Sequence, residues 1–124
     1  MFFNLLLVGL GGFLGSILRF LIYILINRHV STHFPFGTFT VNIVGSLLIG
    51  VLYGLWVKET MDDTASRLWI AGFCGGFTTF STFSNDIFTL TNHGQTSIML
   101  LYTGASVVLG FFAVYLGMTL VKSV

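Results

Sequence analysis

Phe-Cys-Gly-Gly-Phe-Thr-Thr-Phe-Ser-Thr-Phe-Ser-Asn-Asp, residues 73–86, interrupts an otherwise apolar stretch with paired glycines, five hydroxyl side chains and phenylalanines at 77, 80 and 83. A lipid-facing helix has no use for that mixture. Gly75 and Gly76 lower helix propensity, and the Thr and Ser that follow can satisfy backbone groups freed by a local unwinding. Non-helical backbone is tolerated at membrane depth only where protein buries it or a watery cavity meets it. The stretch therefore predicts a helix broken at midspan and, with it, a functional site. Carbonyls exposed at such a break suit a cation. Two antiparallel copies that brought their breaks together would form an oxygen cage for a small hard ion such as sodium.

The phenylalanines admit two readings. Phe77, Phe80 and Phe83 drift slowly round a 3.6-residue helix, and an apolar ladder alone reads as packing. Here hydroxyls interleave at Thr79, Ser81, Thr82 and Ser84. An aromatic ring has a negative face and a positive edge, so rings presented edge-on, with hydroxyl donors replacing part of the hydration shell, can line a path for an anion.

Composition sets this stretch in a bilayer. Of 124 residues, 55% are hydrophobic and 7% charged, with a mean hydropathy of +0.96, values that leave too little charge for a soluble surface. Crossing the hydrocarbon core takes about 20 apolar residues as a helix. Four stretches qualify, at 4–26, 36–57, 68–91 and 97–121. None alternates with period two, so helices rather than a barrel are predicted. The expected fold is an all-α integral membrane protein: one domain over residues 1–124, with four transmembrane helices, the third broken. The first stretch has no basic segment before it and carries Arg19 deep inside, so it is expected to be a mature helix, not a signal peptide. The single Cys74 sits in apolar sequence and reads as a small hydrophobe. A formal net charge of +1 with no basic cluster excludes a nucleic-acid footprint.

With four spans both termini lie on one side, together with Lys58, Arg67 and Lys122, and Arg28 lies on the other. So small a bias fits either an ordinary termini-inside protein or chains that insert both ways up and pair antiparallel. Four helices leave little room to enclose a pathway, which favours an oligomer. Small residues recur at four-residue spacing, as Gly11 and Gly15; Gly12 and Ser16; Ser46, Gly50 and Gly54; and Ala113 and Gly117. Such faces let backbones approach closely, within a subunit or between subunits.

Polar groups at membrane depth are costly, and each is a candidate. Arg19, roughly 20 Å along the first helix at 1.5 Å per residue, either snorkels to the interface or stands at the mouth of an anion pathway, where its charge raises local anion concentration. Asn42, on a stripe with Ser46, Gly50 and Gly54, suits interhelical glue or contact with a permeating anion, and its place above small residues tips toward the pathway. Asp86, the acid within a span, either couples protons or holds hydroxyls and amides in place. The structural role is preferred, because a bare carboxylate repels an anion. Tyr102, Ser106 and Gly110 share a face of the last helix. His29, His33 and His93 fall in loops without a metal-site context.

Three segments together resemble the Fluc (CrcB-type) fluoride channels over essentially the whole chain: Gly-Gly-Phe-Leu-Gly-Ser-Ile-Leu-Arg-Phe (11–20), Gly-Thr-Phe-Thr-Val-Asn-Ile-Val-Gly-Ser (37–46) and Gly-Phe-Cys-Gly-Gly-Phe-Thr-Thr-Phe-Ser-Thr-Phe-Ser (72–84). The resemblance implies an antiparallel dual-topology homodimer with two fluoride pores in a bacterial plasma membrane. It further implies a structural sodium ion at the dimer centre, held by the carbonyls of Gly75 and Thr78. Phe80 and Phe83 would be the pore aromatics, with Asn42, Ser81, Thr82, Tyr102 and Ser106 along the path and Arg19 toward a vestibule. Asp86 stands where the family often has Glu, and Gly110 where some relatives place a serine. The implied activity is passive export of cytoplasmic fluoride, driven by the membrane potential. The rival expectation, a small proton-coupled dual-topology exporter, needs an acid in the first span, which has Arg19 and none. No nucleophile, base and orienting group occur together, so no enzyme is expected.

Overall fold

The computed structural model describes residues 1–123, and among them the fold is wholly helical. Helix α1 (Phe2–His29) and helix α2 (Phe36–Val57) are continuous. The third span is composite. A single turn, α3 (Asp63–Ser66), runs into π-helical turns over Arg67–Cys74 and a last α-helical turn, α4 (Gly75–Phe77); after Thr78 and Thr79 the chain resumes as α5 (Phe80–Asn92). Helix α6 (Thr96–Lys122) closes the bundle. Three of these helices, α1, α2 and α6, are long and apolar enough to cross a membrane, and the third span is the bent one.

The break is two residues later than the glycines that announced it. Thr78 (φ −81°, ψ 160°) and Thr79 (φ −150°, ψ 112°) are extended, whereas Gly75 is helical. Helix propensity does not decide the matter here, because Gly72 and Gly76 serve packing. A Cβ on Gly76 would strike the backbone of Gly12, and one on Gly72 would lie 2.7 Å from Val8 O and 2.9 Å from Gly11 Cα. The first half of the third span is thereby pressed against α1.

A second close seam joins α2 and α6, where Gly50 meets the Val114 backbone and Gly117 the Leu47 carbonyl. The stripes through Gly11 and Gly15, Gly50 and Gly54, and Gly117 thus pack within one chain. This resolves the choice the spacing left open. Lipid tails are as apolar as the side chains, so helix association in a bilayer relies on close backbone approach rather than on a hydrophobic core.

The fully enclosed side chains are few and lie near the break: Thr38 and Val41 on α2, Cys74 and Phe77 just before the interruption, and Tyr102 on α6. Elsewhere large apolar residues such as Leu5, Phe13, Phe20, Phe111 and Tyr115 face outward, as in helices whose solvent is lipid. At the termini side, Lys58 Nζ donates to Val121 O (2.6 Å), satisfying a carbonyl that the end of α6 leaves open. The turn after α2 has Glu59 at φ 58°, with Thr60 N and Met61 N both donating to Leu55 O; the turn after α5 places Gly94 (φ 69°) in the same left-handed region.

Candidate functional site

The interruption of the third span is completed by a side chain from α2. Asn42 Oδ1 accepts from Thr79 N (2.8 Å) while Asn42 Nδ2 donates to Thr79 O (3.1 Å), so one amide pairs with both backbone groups of a residue that helix geometry has abandoned. On the preceding side, Thr78 N and Thr78 Oγ1 both donate to Cys74 O (3.0 and 2.9 Å), which ends α4. On the following side Thr79 caps α5: its Oγ1 accepts from Thr82 N (3.2 Å), donates to Thr82 Oγ1 (3.0 Å) and lies 3.3 Å from Ser81 Oγ. The sequence marked Thr79 only as one of the interleaved hydroxyls; its cap on α5 and its pairing with Asn42 emerge from the fold.

Two consequences concern the carbonyls. A continuing helix would give Thr79 N to Gly75 O and Thr82 N to Thr78 O. The first amide goes to Asn42 and the second to Thr79 Oγ1, so Gly75 and Thr78, the two carbonyls expected to hold a cation, both lose their ordinary helical donors. Gly75 is also exposed, with open space where a side chain would stand. Backbone oxygens released from a helix are suited to replace the hydration shell of a hard cation. Among the described residues no group of His, Cys, Asp and Glu is placed to hold a metal.

Cavities open on both sides of Thr79. One, about 350 Å³, brings together Asn42 and Ser46 of α2, Thr78 at the break, Phe80 and Phe83 of α5, and Ser106 of α6. Here Ser106 Oγ is buried without a hydrogen-bond partner, which leaves a hydroxyl free to meet something in the cavity. The other, about 310 Å³, is lined by Ser16 and Arg19 of α1, Tyr23, Thr38, Thr79 and Thr82. Arg19 accordingly faces a cavity shared with the hydroxyls of the break.

The aromatic residues separate at the interruption. Phe77 is 2% exposed and stacks on Phe73 (centroids 5.7 Å, planes 11° apart), a packing role, while Phe80 is 79% exposed. The ladder is not one packing stripe: Phe77 packs and Phe80 is presented outward, because Thr78 and Thr79 end the helical register that joined them. From Phe80 an aromatic chain continues through Phe83 (5.9 Å) to Tyr102 (5.3 Å) and, edge to face, to Phe34 (5.4 Å, 85°). Phe34, in the α1–α2 connection, carried no sequence signal as a site residue. Tyr102 is fully buried and its phenol donates to Asp86 Oδ2 (3.0 Å). Asp86 lines a third cavity, about 230 Å³, with Tyr23, Asn27, His33 and Phe34 at the end remote from the termini.

The predicted residues therefore divide. Asn42, Thr78, Phe80, Phe83 and Ser106 surround one cavity; Arg19 and Thr82 face the second; Ser81 is exposed beside Thr79; and Tyr102 and Asp86 form a pair between the aromatic chain and the far mouth.

The model for "CrcB-like protein, Camphor Resistance (CrcB)" matches residues 6–118, which include every one of these side chains. The chain belongs to the CrcB family. Among its relatives, a protein of Phocaeicola vulgatus named "Fluoride-specific ion channel FluC" is 47% identical over 114 residues, covering 92% of this chain and 94% of its own length. Proteins with the same name from Flavobacterium psychrophilum (43% over 116 residues, 93% and 94%) and Chlorobium luteolum (45% over 120 residues, 96% and 92%) are similar end to end. The CrcB match agrees with the resemblance drawn from the three segments, and with the outward-facing apolar helices it makes this a multi-pass membrane protein.

Proposed function

We propose that this protein is a fluoride channel: a passive, fluoride-selective pore that exports cytoplasmic fluoride across the bacterial plasma membrane. The relatives' name supplies the ion. The observation that carries the reading in this chain is the cavity where Phe80 and Phe83 meet the Asn42 amide and the partnerless Ser106 hydroxyl. Ring edges and neutral donors attract an anion without trapping it behind a fixed charge, which passage requires. Arg19 raises anion concentration in the neighbouring cavity, and the pair of Tyr102 and Asp86 keeps that carboxylate engaged where the aromatic chain nears the mouth.

The working unit is an antiparallel dual-topology homodimer with two pores. Phe80 is 79% exposed, so one wall of its cavity is missing in a single chain, and a second copy would supply it. A structural sodium ion at the dimer centre would take the carbonyls of Gly75 and Thr78, whose helical donors are engaged elsewhere. The ion would supply positive charge and fix the two breaks to each other.

Fluoride efflux from proteoliposomes under a potassium gradient, started with valinomycin, tests the reading. Rapid fluoride release with no chloride release is expected. No fluoride flux, or flux that requires a pH gradient, overturns it; the latter outcome would favour the proton-coupled exporter.

A further inference from the structure

We infer that Asn42 is a positioning residue for the cation site: its amide creates the free carbonyl of Gly75 by taking the one backbone N–H that would otherwise close on it. The inference rests on the proposed cation at Gly75 and Thr78 and adds a determinant that lies on another helix. In an uninterrupted helix Thr79 N donates to Gly75 O. Here it donates to Asn42 Oδ1 at 2.8 Å, and the second half of the same amide, Nδ2, holds Thr79 O at 3.1 Å. With both ends of its amide engaged, the side chain has one orientation, and Thr79 is held extended at φ −150°. Without Asn42 a buried backbone N–H in a low-dielectric site must find another acceptor, and Gly75 O is the one that helix geometry supplies. Gly45, on the same helix as Asn42, meets the Thr78 methyl, so α2 touches both residues of the break.

The same amide also faces the cavity of Phe80 and Ser106. Asn42 thus links the cation cage to the anion path through a single side chain. Two sites that depend on one orientation of a shared group are thermodynamically coupled, and the coupling is reciprocal.

The test reads cation binding and not flux. Purified full-length protein in detergent is melted across a sodium titration, with potassium replaced at constant ionic strength, for the wild type, Asn42→Asp, Asn42→Leu and Thr119→Ala. Asn42→Asp keeps the acceptor for Thr79 N and is expected to retain most of the sodium-dependent rise in melting temperature. Asn42→Leu removes the acceptor and is expected to need roughly tenfold more sodium for the same rise, the scale of one lost hydrogen bond. Thr119→Ala, in the last turns of α6 with only a local bond to Leu116 O, is expected to keep the wild-type sodium dependence.

Replacing the Thr79 amide by an ester removes the N–H itself. In the Asn42→Leu chain it is expected to restore sodium affinity, because nothing is then left to close on Gly75 O. Wild-type sodium dependence in Asn42→Leu, or equal weakening in Asn42→Leu with and without the ester, overturns the inference. If Asn42→Leu does not fold, loss of sodium dependence in Asn42→Asp overturns it equally. A wild-type protein whose melting ignores sodium would instead sink the cation reading beneath it.

Discussion

Tyr102, fully buried on α6, donates its phenolic proton to Asp86 Oδ2 on α5 at 3.0 Å, and this bond ties the half-helix after the break to the last span. The ring of Tyr102 lies between Phe83 and Phe34, so the same residue orders the aromatic chain and occupies the carboxylate. Tyr102→Phe keeps the ring and deletes the bond. Hydrogen bonds to a charged group contribute roughly 1.5–3 kcal/mol, so a loss of about 2 kcal/mol is expected, read as a lower melting temperature in detergent. Wild-type stability would mean that water replaces the phenol without cost and that Asp86 needs no protein partner.

Phe77 and Phe80 are three residues apart and are expected to fail differently. Phe77 is buried against Phe73, and Phe77→Ala should destabilise the fold by on the order of 3 kcal/mol through the cavity left behind. Phe80 is mostly exposed in the chain, so Phe80→Ile should change its stability by less than about 0.5 kcal/mol. Fluoride efflux should nonetheless fall at least roughly tenfold, because the isoleucine keeps bulk and loses the electropositive ring edge. Normal efflux by Phe80→Ile would leave that residue a packing role only.

The neighbouring glycines make a second contrast. A methyl at Gly76 collides with the Gly12 backbone, so Gly76→Ala should prevent the third span from docking on α1 and yield little folded protein. Gly75 has open space around it, so Gly75→Ala should fold and melt as a monomeric unit like the wild type. If Gly75 lies at the centre of a dimer, cross-linking and size-exclusion should then show the dimer weakened. An unaffected dimer would place Gly75 away from the interface.

Glu59 occupies the left-handed position that glycine fills at Gly94. Glu59→Gly should stabilise the protein by about 1 kcal/mol, the cost of a Cβ at positive φ. An unchanged or lower melting temperature would show that the two bonds to Leu55 O hold the turn without strain.

Much of the candidate site could be drawn from the sequence because membrane burial makes polar residues expensive and therefore few. Asn42, Ser106, Arg19 and Thr82 could each be singled out for that reason, and the fold brings them to two cavities separated by Thr79. Phe34 and Ser46 were not singled out, since an aromatic in a connection and a serine on a small-residue stripe are ordinary until a cavity forms beside them. Within the predicted stretch 75–84, the chain opens two residues past the glycine pair. Low propensity says where a helix is weak, but Gly72 and Gly76 are spent on close approach to α1, and the chain opens where Asn42 offers a substitute partner.

Composition, span length and the lack of period-two alternation determined that this chain is a bundle of membrane helices, because lipid then leaves the backbone no other way to satisfy itself, and the glycines and hydroxyls of 75–84 marked the fault in the third. The family segments pointed to the same place. Which residue opens, which phenylalanine is core and which is presented outward, and which carbonyls lose their donors were decided only by tertiary structure. Each depends on a partner distant in sequence, Asn42 for Thr79, Gly12 for Gly76 and Tyr102 for Asp86, and no local propensity encodes the arrival of that partner.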